Sequence, residues 1–242
     1  MTTEISKHHT RPCKERLIVA LDVPSAMEAK KLVETLGDAV SFYKIGLELF
    51  TAGGYFELLE WLVRRGKKVF VDLKFFDVPE TVRAAVRGLR ARGVTFVTVH
   101  GNQAIMEAAG RDKGELKILA VTVLTSLDRG DLDDLGFDCD VERLVLSRAR
   151  RALQAGCDGV ISSGLEAPAL KRELGSRLLV VTPGIRPVEN RTADDQKRTV
   201  DVAQAFANGA DFIVVGRPIR QASDPRAAAE SIQRTIAGIF PD

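Results

Sequence analysis

The stretch VFVDLKFFDVPET, residues 69–81, sets Asp72, Lys74 and Asp77 at the end of an apolar run. Side chains alternate along a strand, so Asp72 and Lys74 share one side and Leu73 takes the other. An ammonium flanked by carboxylates is favoured in its charged form. Lys74 is therefore suited to donate a proton rather than to attack as a free amine. Asp22, closing RLIVALD, and Lys44, inside FYKIGL, belong to two other apolar runs and would complete a ring of alternating charge. Such a ring can also be a structural salt-bridge network, but buried ion pairs contribute poorly to net stability. Four ionisable residues on such runs argue for a site.

A second set of residues suits an anion. FIVVGRPI places Gly216 and Arg217 directly after an apolar run, where backbone N–H groups and a guanidinium can bind phosphate oxygens. TPGIRP brings Pro183 and Arg186, and the long polar segment VENRTADDQKR that follows, with Gln196 in it, is either a gate over phosphate or a surface connection. Thr125 and Ser126 offer hydroxyls, which are also common turn formers, and an acidic, glycine-containing loop, LDRGDLDDLG, comes next. Asp77-Val-Pro-Glu80 has the spacing of a capping box, so a helix cap accounts for Asp77 as well as catalysis does; Thr81 follows inside that helix. His100 and the Ser162-Ser163 turn have no partner legible in the sequence and stay outside the catalytic set. The chain shows no Walker sequence, no dinucleotide fingerprint and no metal-ligand spacing. These residues point to a reaction on a phosphorylated small molecule with no cofactor and no metal.

The elements that must position them are periodic. Eight runs rich in Val, Ile and Leu, at 16–22, 42–47, 68–74, 96–101, 117–124, 159–164, 178–184 and 212–217, alternate with helical patterns that mostly end in glycine. Eight strands alternating with helices in a chain of 242 residues predict a single (β/α)8 barrel over 16–242 after a polar tail, 1–15. A doubly wound open sheet is the alternative, and it lacks a GxGxxG after the first strand. In a barrel of this kind the site lies at the C-terminal ends of the strands. Asp22, Lys44, Asp72, Lys74, Thr125, Arg186 and Arg217 all fall there.

Composition narrows the partners. With 35 basic and 33 acidic side chains the net charge is +2, without a basic arm or acidic tail, so neither nucleic acid nor a membrane surface is expected. Cys13, Cys139 and Cys157 read as structural thiols, and His8 and His9 as part of the polar tail. The start is too polar for a signal peptide and no apolar run approaches the roughly 18 residues of a membrane span. A soluble, cytoplasmic protein is expected.

LDVPS at Asp22, YKIGLELF at Lys44, VDLKFFDVPET at 71–81, VTVLTS at Thr125, TPGIRP, ADDQKR and VVGRP occur in the order seen in orotidine 5'-monophosphate decarboxylases, which the chain resembles along its whole length. The D-x-K-x-x-D-[IV]-P-x-T string is the most specific part. The resemblance implies decarboxylation of orotidine 5'-monophosphate, with Lys74 protonating carbon 6 and Asp72 crowding the substrate carboxylate. It implies ribose contacts from Asp22 and Lys44, base contacts from Thr125 and Ser126, and phosphate or loop contacts from Arg186, Gln196, Gly216 and Arg217. It also implies a homodimer in which Asp77 and Thr81 reach the neighbouring subunit's site. Two rivals remain: a metal-dependent sugar-phosphate decarboxylase or aldolase sharing D-x-K-x-x-D, against which Val78-Pro79-Glu80-Thr81 speaks, and a non-catalytic barrel that binds a phosphorylated ligand.

Overall fold

The structure is a computed structural model and describes residues 12–186 and 199–241. Each apolar run contributes a strand: β1 (Leu17–Ala20), β2 (Phe42–Gly46), β3 (Lys68–Phe75), β4 (Phe96–His100), β5 (Lys117–Val121), β6 (Gly159–Ile161), β7 (Leu179–Thr182) and β8 (Phe212–Val215). All pair in parallel, in sequence order, and β8 returns to β1, so the sheet is closed and the open-sheet alternative falls. The helices around it are α1 (Ala26–Leu36), α2 (Leu47–Ala52), α3 (Tyr55–Arg64), α4 (Pro79–Arg90), α5 (Gln103–Arg111), α6 (Arg129–Asp134), α7 (Val141–Gln154), α8 (Ala167–Leu174), α9 (Val202–Ala207), α10 (Arg217–Arg220) and α11 (Pro225–Ile239). Among the described residues no helix is long and apolar enough to cross a membrane.

Two cores hold this arrangement. Outward-facing strand residues such as Val19, Tyr43, Val71 and Val97 pack under the helices. Inward-facing ones, among them Ile18, Phe42, Phe70, Phe96, Leu119 and Phe212, fill the barrel. Phe96 packs against Phe42 and Phe212 with ring centroids 5.0 and 5.1 Å apart. Gly159 makes room for this filling, because a Cβ there would lie 2.7 Å from that of Leu179. The period of two then carries each inward position to the barrel mouth: Ala20 leads to Asp22, Phe42 to Lys44, Phe70 to Asp72 and Phe96 to Thr98. An apolar floor beneath a polar mouth follows from alternation alone.

Three local features depart from the sequence expectations. Simple alternation does not deliver Lys74. The β3–β4 register shifts between Val71 and Phe75, and Lys74 sits in this bulge at φ 48°, the one non-glycine residue with positive φ among those described. Asp77 is not the helix N-cap. Pro79, with its fixed φ, takes the first helical position, so Val78 is the cap and Glu80 falls one place too early to reciprocate. Asp77 Oδ1 instead accepts from the Val78 N–H at 2.6 Å, and Glu80 pairs with Arg83. Finally, the acidic stretch after Ser126 contains α6, because Asp128 and Asp131 form a reciprocal capping box at its start.

Candidate active site

At the C-terminal mouth the four ionisable residues form one chain of contacts. Lys44 Nζ lies 2.9 Å from Asp22 Oδ1 and 3.6 Å from Asp72 Oδ2, and Lys74 Nζ lies 3.0 Å from Asp72 Oδ1. The Lys44 and Asp72 side chains are only 11% and 13% exposed, whereas Lys74 is 34% exposed, so Lys74 is the more open of the two cations. Gly46 keeps the centre of the array open, since a Cβ there would sit 3.3 Å from Lys44 Nζ.

Burial works against both inner charges, and their neighbours outweigh it. For Lys44, desolvation alone would lower the pKa, but the Asp72 and Asp22 carboxylates hold the ammonium above the ordinary lysine range. For Asp72, desolvation would raise it, but Lys44 and Lys74, with hydrogen bonds from Lys74 and Thr98, hold the carboxyl below the usual range. Lys44 and Asp72 are therefore held charged at neutral pH. Such an arrangement can present an ammonium to a reacting atom without reorganising when charge develops there.

This array lines a cavity of about 330 Å³ that also reaches Thr125, Ser126, Pro183, Arg186, Gly216 and Arg217. Strands β1 to β3 supply the mixed charges, and the segments after β7 and β8 supply the arginines. Thr125 and Arg186 are buried, and Arg186 Nη1 donates to the Ile185 carbonyl at 2.9 Å. The cavity thus has a charge-balanced end and a cationic end. Among the described residues no three His, Cys, Asp or Glu side chains come together to hold a metal ion.

A sequence profile of the Orotidine 5'-phosphate decarboxylase / HUMPS family matches residues 15–232. The chain belongs to this family. It is 69% identical to an orotidine 5'-phosphate decarboxylase of Methylococcus capsulatus, over 95% of each chain. It is 53% identical to one of Stenotrophomonas maltophilia over 92% of this chain and 93% of that one. Among solved structures, the orotidine 5'-phosphate decarboxylase of Lactobacillus acidophilus superposes with a TM-score of 0.81 at 35% identity, covering 94% of this chain and all of that one.

Within this family member, ten of the thirteen site residues expected from sequence line the one cavity: Asp22, Lys44, Asp72, Lys74, Thr125, Ser126, Pro183, Arg186, Gly216 and Arg217. Asp77 and Thr81 do not line it; both are exposed at the start of α4. Gln196 and the segment 187–198 lie outside the described residues. His100 stacks on Phe76 with centroids 4.5 Å apart and faces Asn102, and does not line the cavity either. Ser162 and Ser163 are buried and do not line it, with the Ser163 hydroxyl accepting from the Leu165 N–H.

One participant escapes the sequence reading. The Thr98 hydroxyl donates to Asp72 Oδ1 at 2.9 Å and accepts the Lys74 backbone N–H at 2.9 Å. It pins the bulge that turns Lys74 toward the carboxylate. A threonine in the middle of FVTVH, two residues beyond inward-facing Phe96, is the available signal.

Proposed function

We propose that this chain converts orotidine 5'-monophosphate to uridine 5'-monophosphate and carbon dioxide without a cofactor, as a step of pyrimidine nucleotide synthesis. The observation that carries this reading is the Lys74 ammonium held 3.0 Å from a buried Asp72 carboxylate in the cavity. The bond from carbon 6 to the carboxylate breaks, and its electron pair stays on carbon 6. A proton from Lys74 Nζ moves onto that carbon, and solvent later returns a proton to the amine. No cofactor sink is needed if a preorganised ammonium meets the developing charge. Asp72 repels the substrate carboxylate more than the neutral product and orients Lys74.

Other roles follow the two ends of the cavity. Asp22 and Lys44 take ribose hydroxyls, while Thr125 and Ser126 meet the base. Pro183, Arg186, Gly216 and Arg217 border the phosphate, and Gln196 joins them from the adjoining segment. Binding energy from the remote phosphate is then used at the reacting carbon. Asp77 and Thr81, exposed and away from their own chain's cavity, serve the partner's site in a homodimer. The catalytic domain of each subunit is the barrel of 16–242, the dimer is the active unit, and it works in the cytoplasm.

Turnover of orotidine 5'-monophosphate by chelator-treated protein, followed by the change in pyrimidine absorbance, tests the reading. Full activity without added metal is expected. Activity only after a divalent metal is restored would instead favour the metal-dependent sugar-phosphate branch.

A further inference from the structure

Three arginines border the cavity, and the third, Arg220, has no role so far. It ends α10, one turn beyond Arg217, and its backbone N–H donates to the Gly216 carbonyl at 3.0 Å, which ties it to the turn after β8. Its Nε is buried without a hydrogen-bond partner among the described residues. Arg16 Nε shares that condition, but the rest of its guanidinium is accounted for. Arg16 Nη1 donates to the Asp211 carbonyl and the group lies 3.7 Å over the Phe240 ring. Arg220 instead faces the cavity.

Arg220 lines the cavity, and a ligand there that draws its guanidinium into hydrogen bonds recovers the cost of a donor left unmade. Charge identifies the ligand. Asp22, Lys44, Asp72 and Lys74 balance one another, so the arginine end carries the cavity's excess positive charge. A phosphomonoester near neutral pH carries close to two negative charges on three acceptor oxygens, and Arg186 already gives its Nη1 to the Ile185 carbonyl, so the phosphate has acceptors for a further guanidinium beside Arg217. Planar guanidinium groups match phosphate oxygens in geometry as well as charge.

We propose that Arg220 is a phosphate-binding residue that takes a phosphomonoester oxygen alongside Arg217. The inference rests on the functional reading above, because it assigns part of that substrate to this end of the cavity. It places Arg220 in substrate binding and away from the reacting carbon, so its removal lowers kcat/KM on the phosphorylated substrate, through weaker binding and through the remote binding energy used at that carbon.

The test compares orotidine 5'-monophosphate with orotidine, which lacks the phosphate, for the parent, Arg220→Ala and Arg220→Lys. The loss in kcat/KM for Arg220→Ala is expected to be about 10- to 100-fold greater on the nucleotide than on the nucleoside. Arg220→Lys recovers part of it, and thermal melting confirms that both variants fold. Equal losses on both substrates, or a parent-like kcat/KM on the nucleotide, overturn the assignment. Calorimetric binding of uridine 5'-monophosphate against uridine gives the same ratio without turnover. A parent that decarboxylates nothing sinks the functional reading, whereas an unchanged binding ratio in Arg220→Ala sinks the phosphate role.

Discussion

Replacing Thr98 by valine keeps the side chain's shape and deletes only its hydroxyl. Two hydrogen bonds of 2.9 Å disappear, one to the Asp72 carboxylate and one from the Lys74 N–H. A hydrogen bond to a charged group contributes about 1.5–3 kcal/mol, and a buried N–H left unpaired costs about 1–3 kcal/mol. Asp72 keeps both lysines, so the combined loss falls toward the low end, about 2–4 kcal/mol. For a domain of this size that lowers the melting temperature by roughly 5–15 °C. The catalytic effect comes through position. Lys74 sits at positive φ in a bulge that this hydroxyl fastens, and a displacement of about 1 Å can cost about a hundredfold in rate. Steady-state assays with orotidine 5'-monophosphate should therefore show a fall mainly in kcat. Thr98→Ser, which keeps the hydroxyl, should recover most of it. Parent-like kcat and melting in Thr98→Val, or an equal defect in Thr98→Ser, would refute the positioning argument.

Other consequences follow from the same contacts. Mixing Lys74→Ala with Asp77→Ala, each inactive alone, should restore up to about one quarter of parent activity, since half of randomly exchanged dimers are hybrid and each has one whole site; no recovery despite proven exchange rules out the shared site. The Asp72 carboxyl is held low, so its contribution to stability is present above the ordinary aspartate value of about 3.9 and lost as pH falls through its lower folded value. The melting gap between the parent and Asp72→Asn should accordingly narrow in acid, and a gap independent of pH contradicts this. Burial pushes the Cys157 thiol up to about 12. At about pH 8 an alkylating reagent should modify half-buried Cys13 and Cys139 and spare Cys157 until the chain unfolds; labelling of Cys157 in the native state would show that it is not sealed.

The barrel was legible because strands buried on both faces are continuous apolar runs, and their polar ends fall at the mouth by alternation. That rule alone places Asp22, Lys44 and Asp72. It fails at Lys74, whose bulge depends on Thr98 across the β3–β4 ladder, a contact between residues 24 apart. Pro79 decides which residue of α4 is first, and so the capping spacing at Asp77 misleads by one position. The helix α6 was legible in the spacing of Asp128 and Asp131, although the glycine and the acidic run read as a loop. Nothing in the composition separates Arg220 from the chain's other arginines. Only the fold brings it to the cavity with an unmade donor.

Everything in the proposed chemistry turns on Lys74 delivering the proton that replaces carbon dioxide. Turnover of orotidine 5'-monophosphate in deuterated water by the parent and by Lys74→Ala tests it most directly. The parent is expected to give uridine 5'-monophosphate bearing deuterium at carbon 6, and the variant a rate at least about a thousandfold lower. A Lys74→Ala protein that forms the same product at the parent's rate would contradict it.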